Sequence, residues 1–258
     1  MPPMLDDLLK RPHHQIISPQ ELEVGMRIDL RGDPFTALLL REPHLGEAVT
    51  VTDPLGREFR ARVEVLEAGE ARLFVFEELT PPTEPPVDLL LLQALPDKER
   101  MELIIQKATE LGVKVIVPFK SRRSISLQER EARQPKAHRW QHVALRATKQ
   151  CRRAYLPYVA PYCTFREALD LAEGIDLKIM LYEGERKRKM RDVLKGRSIS
   201  PRRISLLVGP EGGWEAEEVR EASERGFVPV GMGGRVLRTE TATIVACAIL
   251  MYEWGDLR

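Results

Sequence analysis

Two arginines stand directly after a glycine-rich segment in the last part of the chain. Arg235 and Arg238 follow three glycines in the stretch "VGMGGRVLRTETA". Two guanidinium groups in one short loop lose side-chain entropy when they are ordered, so they indicate an anionic partner or a negative charge that develops during a reaction. Thr239 and Glu240 follow them and open an apolar segment, where these residue types are typical of helix capping.

A second glycine corner lies in "SLLVGPEGGWEAEEV" and raises the question of what approaches its backbone. Gly209, Gly212 and Gly213 do not have the spacing of a nucleotide-phosphate loop or of a dinucleotide fingerprint. Glu211 in the turn would repel a pyrophosphate, so a neutral or cationic ligand fits this corner better. A tight turn with no ligand would explain the glycines equally well.

Both corners, and a third in "MLYEGE" (residues 180–185), follow short apolar runs that alternate with helical patterns. Such alternation is typical of a parallel sheet covered by helices on both faces. Because ligands bind beyond the carboxyl ends of the strands in these folds, the sequence predicts that the three corners form one pocket. The segment "RKRKMRDVLKG" between them is predicted to be a helix.

The composition is that of an ordinary globular protein: 258 residues, 43% apolar, 31% charged and a net charge of +1. Three cysteines without ligand spacing make a disulfide framework and a metal site improbable. His13 and His14 lie in a Pro-flanked tail and are expected to be solvated. There is no signal-peptide pattern and no apolar run of about 18 residues, so we expect a soluble, cytoplasmic protein.

A proline-rich stretch, "TPPTEPPV", indicates a domain boundary. We predict a first domain over residues 1–80, a linker over residues 81–87 and a second domain over residues 88–258. The first domain has four short β-type runs separated by turn signals, including Gly32-Asp33-Pro34, which predicts a small antiparallel barrel.

Charge is divided unevenly between these parts. Residues 1–80 carry nine Lys/Arg against fifteen Asp/Glu, whereas residues 81–258 carry 31 against 24. Residues 132–166 contain no acid at all, and Arg133 and Lys136 are among their basic residues. A second basic cluster runs from Arg186 to Arg203. This pattern favours a nucleic-acid partner for the second domain.

Three motifs together carry a resemblance: "LLVGPEGGW", "GGRVLRTETA" and "ERMELIIQKATELGV". This combination resembles the bacterial ribosomal RNA small subunit methyltransferase E family, within the SPOUT methyltransferases. The match continues through "VIVPFKSRRS" and "HRWQHVALRATKQCRRAYLP". It covers residues 87–258 well and the first domain in outline.

The resemblance implies an α/β fold in which the C-terminal parallel-sheet (SPOUT) domain is threaded into a trefoil knot and is preceded by a small PUA-like β-barrel. It implies S-adenosylmethionine as cofactor, a homodimer, and methylation of N3 of a uridine in 16S ribosomal RNA of the small subunit. No metal is implied, and no membrane partner is expected.

The resemblance also implies roles for residues in this sequence. Arg238 and Arg235 would stabilise an anionic uracil, and Glu240 is a candidate proton acceptor in addition to its possible capping role. The cofactor would be bound by Tyr182, Glu183, Val208, Gly209, Pro210, Glu211, Gly212, Gly213, Met232, Gly233, Val236 and Leu237. The RNA would be held by Arg122, Arg123, Arg146, Lys149 and Arg153.

Other functions stay open at this point. A ribose 2′-O-methyltransferase of the same fold is disfavoured by the "RVLRTETA" loop. An RNA-binding or ribosome-assembly protein without catalysis would not need both glycine corners and both arginines. A nicotinamide-dependent oxidoreductase is disfavoured by the spacing and position of the glycines.

Overall fold

The computed structural model describes residues 13–96, 100–126, 128, 139–195 and 199–258. Its described residues separate into two compact units. The large unit comprises Pro85–Ala144 and Tyr158–Arg258, and the small unit comprises Lys10–Glu84 and Leu145–Pro157. The division after Glu84 falls inside the predicted linker, but Leu145–Pro157 groups with the small unit, although the predicted boundaries assigned it to the second domain.

The small unit is built on an antiparallel sheet of four strands in the order β1-β4-β3-β2. The strands are β1 (Arg27–Arg31), β2 (Ala48–Thr52), β3 (Glu58–Glu67) and β4 (Glu70–Leu79). Each coincides with one of the four predicted β-type runs, and alternate residues face a common apolar core.

The turn predicted at Gly32-Asp33-Pro34 is wrong, because these residues begin helix α1 (Gly32–Leu39). Proline is tolerated in the first turn of a helix, where its missing N–H has no intrahelical partner. The same residue types therefore suit a helix start as well as a turn.

The large unit contains a parallel sheet with the main strand order β11-β9-β10-β5-β6-β7, and β8 also pairs with β6. The strands are β5 (Asp88–Ala94), β6 (Val115–Lys120), β7 (Tyr158–Val159), β8 (Cys163–Thr164), β9 (Leu177–Leu181), β10 (Arg203–Val208) and β11 (Val228–Val230). Strand β5 is buried almost throughout, as expected for a parallel sheet with both faces covered. The predicted α/β class is therefore confirmed.

The helices of this unit cover two apolar clusters, one on each side of the sheet. They are α2 (Arg100–Glu110), α3 (Trp140–Cys151), α4 (Phe165–Asp170), α5 (Met190–Lys195), α6 (Ala216–Glu224) and α7 (Thr239–Trp254). The second half of α3 is grouped with the small unit. Within the described ranges, no helix is both long enough and apolar enough to cross a membrane.

Candidate active site

The carboxyl ends of three neighbouring strands, β11, β9 and β10, open onto a cavity of about 680 Å³. All three predicted corners line it, because each follows one of these strands. The structure thus brings together every residue that the sequence assigned to cofactor binding, from Tyr182 to Leu237, and adds Arg235 and Arg238. Glu240, the candidate proton acceptor, is not among the residues that line the cavity.

Trp214 fixes the second corner to the third, which lies in residues 180–185. Its indole N–H donates to the carbonyl oxygen of Leu181 at 2.8 Å, and its ring stacks on Phe119 with centroids 6.3 Å apart. A Cβ on Gly209 would lie 2.8 Å from the same indole ring. Glycine is therefore required at this position for a packing reason that the sequence does not reveal.

The first corner, which contains Gly231, is held by backbone contact with residues 185–190. The amide of Gly231 donates to the carbonyl of Arg188 at 2.9 Å, and the amide of Met190 donates to the carbonyl of Gly231 at 3.3 Å. A Cβ on Gly231 would collide with the carbonyl oxygen of Glu185. This glycine therefore allows two backbones to pass each other beside the cavity.

A buried hydrogen-bond network connects the second corner to helix α7. The Thr239 hydroxyl donates to the carbonyl of Gly209 at 2.7 Å and accepts from Gln93 Nε2 at 3.2 Å. The Thr243 hydroxyl donates to Gln93 Oε1 at 2.7 Å. Gln93 is 0% exposed, so its amide depends on these partners and on the carbonyl of Ala94.

The capping expectation is wrong for Thr239, which is the first residue of α7 and not its N-cap. The residue at the N-cap of α7 is Arg238, and it makes no side-chain capping bond. Thr239 instead uses its hydroxyl to hold Gly209. Glu240 lies in the first helical turn, where a carboxylate interacts favourably with the helix dipole.

Glu240 is buried, with 9% of its surface exposed. Its Oε1 lies 3.8 Å from Arg100 Nε, and its Oε2 has no hydrogen-bond partner within the described part of the chain. Arg100 also donates to Glu211 at 2.6 Å. The Arg100 guanidinium therefore lies between Glu211 of the second corner and Glu240 of helix α7. This position restrains both elements around the cavity.

Arg235 and Arg238 are exposed and line the cavity. Over the residues that the structure describes, their side chains make no hydrogen bond or ion pair. Their charge is therefore available to a ligand, which agrees with the chemistry that the sequence suggested for them.

The arginines predicted to bind RNA in the large unit are engaged with acids. Arg123 donates to Glu215 at 2.7 Å and to the carbonyl of Gly212 at 3.0 Å. This hydrogen bond raises the pKa of Arg123 and lowers the pKa of Glu215. Arg122 pairs with Glu217. Arg123 therefore restrains the second corner directly.

The three predicted RNA-binding residues of the small unit differ from one another. Arg146 is exposed, whereas Lys149 lies 2.9 Å from Glu47. Arg153 is 5% exposed and pairs with Glu84 at 2.7 Å. The RNA-binding assignment of Arg153 is therefore corrected to a structural role, because a buried guanidinium with a carboxylate partner cannot reach a phosphate. Arg133 and Lys136 lie outside the described residues.

Sequence reasoning missed several residues that line the cavity, among them Arg100, Arg186 and Lys189. Arg100 lies in a motif noted only for its resemblance, far from the corners along the chain. Arg186 and Lys189 belong to a basic cluster over residues 186–203 that the sequence linked to nucleic-acid binding, but the predicted helix gave no reason to place them at the cavity. The only usable signal was the run of four basic residues directly after the "MLYEGE" corner.

Comparison with known proteins decides the family. The RNA methyltransferase domain family matches residues 83–251. A relative from Mycobacterium bovis, named ribosomal RNA small subunit methyltransferase E, is 33% identical, with 85% of each chain covered. The chain belongs to the ribosomal RNA small subunit methyltransferase E family.

Two further similarities extend over almost the whole chain. The methyltransferase E of Bacillus subtilis is 27% identical over 94% of this chain and 96% of its own. A crystal structure of the methyltransferase E of Neisseria gonorrhoeae bound to S-adenosyl methionine is 35% identical, covers 94% of this chain and 98% of its own, and has a TM-score of 0.68. The resemblance drawn from the three motifs is confirmed by these relatives.

Proposed function

We propose that this protein transfers a methyl group from S-adenosylmethionine to N3 of a uridine in 16S ribosomal RNA. The observation that carries the proposal is the cavity at the ends of β9, β10 and β11, where three glycine-rich corners meet two unpaired arginines. The family supplies the reaction class, and the Neisseria gonorrhoeae relative is described as bound to this cofactor. The uridine and its N3 position come from the family resemblance.

The residues of the cavity fit the cofactor. Gly209 packs against the Trp214 indole and Gly231 against the carbonyl of Glu185. This packing holds the backbones of two corners at the cavity, where their amide and carbonyl groups could contact an adenine and a ribose. Glu183 and Glu211 also line the cavity and suit a ligand with a positively charged sulfur. When bound, S-adenosylmethionine supplies an activated methyl group, and no metal is needed. The described residues contain no cluster of side chains that could hold one.

The arginines address the difficult part of this chemistry. Uracil N3 carries a proton and is a poor nucleophile until that proton leaves. Arg238 would stabilise the negative charge that then spreads onto the uracil carbonyl oxygens, and Arg235 beside it would contact the RNA strand. Glu240 is not assigned as the proton acceptor, because it lies outside the cavity lining; we assign it, with Arg100, to holding helix α7. The target base must also leave its stack to reach the cavity.

The proposal includes the finer architecture that the family resemblance implies. A trefoil knot would lie in the large unit, whose strand order is far from sequential. The antiparallel sheet of the small unit would form a PUA-like barrel that assists RNA binding, and exposed Arg146 is the predicted contact that it retains. Helix α7 is apolar on all sides, yet Tyr252 is 61% exposed, which supports a homodimer that covers this face.

A transfer assay tests the function. Purified protein is incubated with labelled S-adenosylmethionine and small ribosomal subunits that lack uridine-N3 methylation, and the RNA is digested to nucleosides. We expect the label in N3-methyluridine. Label on a ribose would assign the protein to the 2′-O class, and absence of transfer despite cofactor and RNA binding would indicate an RNA-binding protein without this activity.

A further inference from the structure

Residues 185–190 run along the first corner, which contains Gly231, instead of forming the predicted helix. Lys189 and Gly231 form a parallel β-bridge, and helix α5 begins only at Met190. The Asp192 carboxylate accepts the amide of Lys189 at 2.9 Å, which stabilises the helix start at this point. The four basic residues that precede α5 therefore belong to a non-helical segment, and two of them, Arg186 and Lys189, line the cavity.

Three basic side chains of these two loops line the cavity and are exposed: Arg186, Lys189 and Arg235. We name this group the basic rim. None of the three side chains makes a hydrogen bond or an ion pair with another described residue. The contrast with Arg123 and Arg153 is clear, because those two guanidinium groups are already bound to carboxylates.

The acids near the rim do not neutralise it by direct pairing. Glu185 lines the cavity, but its Oε1 accepts the amides of Lys187 at 2.8 Å and Arg188 at 3.0 Å. These bonds hold the pKa of Glu185 below its ordinary value, together with the nearby charges of the same two residues. Glu211 is bound to Arg100. The rim therefore keeps unpaired positive charge at the cavity.

We infer that the basic rim binds the phosphates on either side of the target uridine. This inference rests on the proposed function and specifies where the RNA strand crosses the site. A base that enters the cavity brings its flanking phosphates to the cavity mouth, where exposed lysine and arginine side chains can release their counterions. The cofactor carries one carboxylate, which one cation can neutralise, so the three cations of the rim leave positive charge for the phosphates.

The sequence offered two basic regions for RNA, the acid-free stretch at residues 132–166 and the cluster at residues 186–203. Arg153 in the first region is buried and paired, whereas Arg186 and Lys189 of the second line the cavity. Contacts with the phosphates next to the target base would also position that base for transfer.

The test compares two double variants with the wild type. Arg186→Ala/Lys189→Ala removes two charges of the rim. Arg202→Ala/Arg220→Ala removes two exposed charges that do not line the cavity; Arg202 precedes β10, at the opposite end of that strand from the corner. Thermal unfolding checks that both variants fold.

The measurement is the Kd for a fluorescein-labelled single-stranded RNA of about 12 nucleotides with one central uridine, between about 50 and 300 mM salt. Each phosphate contact to a single strand contributes about 0.7 to the slope of log Kd against log salt. We expect the rim variant to lose about 1.4 of this slope and about tenfold in RNA affinity. The control variant should match the wild type, and both should bind S-adenosylmethionine as the wild type does.

Two results would overturn the inference. One is a slope for the rim variant equal to that of the control variant. The other is a weakened Kd for S-adenosylmethionine with an unchanged RNA slope, which would assign the rim to the cofactor carboxylate. Because RNA binding is measured without methyl transfer, failure of the proposed reaction in the nucleoside assay would be seen separately from failure of the rim.

Discussion

Substitutions of Thr239 can separate the contribution of its hydroxyl hydrogen bonds to stability from the contribution of its packing. Thr239 is 5% exposed and joins Gln93 to the carbonyl of Gly209. Thr239→Val keeps the shape of the side chain and removes only the hydroxyl. Thr239→Ser keeps the hydroxyl and removes only a methyl group.

The expected costs follow from the partners. Without the hydroxyl, one N–H of the fully buried Gln93 amide loses its acceptor, which costs about 1–3 kcal/mol, and the lost bond to Gly209 adds about 1 kcal/mol. Thr239→Val should therefore lower the free energy of unfolding by about 2–4 kcal/mol. Thr239→Ser should cost only about 1 kcal/mol, the value of one buried methyl group.

Urea unfolding followed by tryptophan fluorescence measures these costs in the relevant unit, because Trp140, Trp214 and Trp254 all belong to the large unit. A double-mutant cycle with Gln93→Leu isolates the cost of leaving the Gln93 side-chain N–H without its acceptor. In that background the donor is already gone, so Thr239→Val should cost about 1 kcal/mol, giving a coupling of about 1–3 kcal/mol.

The reasoning would be refuted if Thr239→Val were as stable as Thr239→Ser, or if the two substitutions of the cycle were additive. Either result would mean that the network does not restrain the second corner. The position of Gly209 would then depend on Trp214 packing alone.

Three further predictions concern other parts of the molecule. Arg153→Met should destabilise the small unit by about 3 kcal/mol because it removes the ion-pair partner of Glu84, and circular dichroism measures this loss. The salt dependence of RNA binding, measured by fluorescence anisotropy, should not change. Burial acts to raise the pKa of Asp53, but hydrogen bonds from Arg57 and from backbone amides outweigh it and lower the pKa. The stability that this carboxylate contributes is therefore present above about pH 4 and is lost as the pH falls further. Asp53→Asn should weaken the dependence of the free energy of unfolding on pH in this acid range. Arg238→Ala should lower kcat about 10²- to 10³-fold with the Kd of S-adenosylmethionine unchanged, and single-turnover kinetics would expose an effect confined to binding.

The strands and the three corners were predictable because they depend on local patterns. Apolar runs followed by glycines mark the ends of β9, β10 and β11, and parallel topology forces those ends to one edge of the sheet. The part of the cavity lining that these corners supply therefore follows from the sequence, even though Tyr182 and Leu237 are 55 residues apart.

The errors arose where a distant partner determines the environment of a side chain. Arg153 looked like a surface cation until Glu84 was placed beside it. His14, expected to be solvated, is buried, and its Nδ1 lies 2.5 Å from the carbonyl oxygen of Leu156. Thr239 looked like a cap because its partner, Gly209, is 30 residues away. Periodicity carries no information about such pairs, since it reports only on neighbours along one element.

The most direct test of the account is a calorimetric titration of S-adenosylmethionine into the wild type, Gly231→Ala and Gly226→Ala. Both substitutions affect glycines near β11, but only a Cβ on Gly231 would collide with the backbone beside the cavity. At Gly226 a Cβ would meet nothing within 4 Å, so Gly226→Ala is destabilised only by the backbone strain of its positive φ. We expect the wild type and Gly226→Ala to bind S-adenosylmethionine with the same Kd. Gly231→Ala should bind it at least about tenfold more weakly, a loss of about 1.4 kcal/mol. Equal binding by all three proteins would contradict the claim that the three corners hold the cofactor.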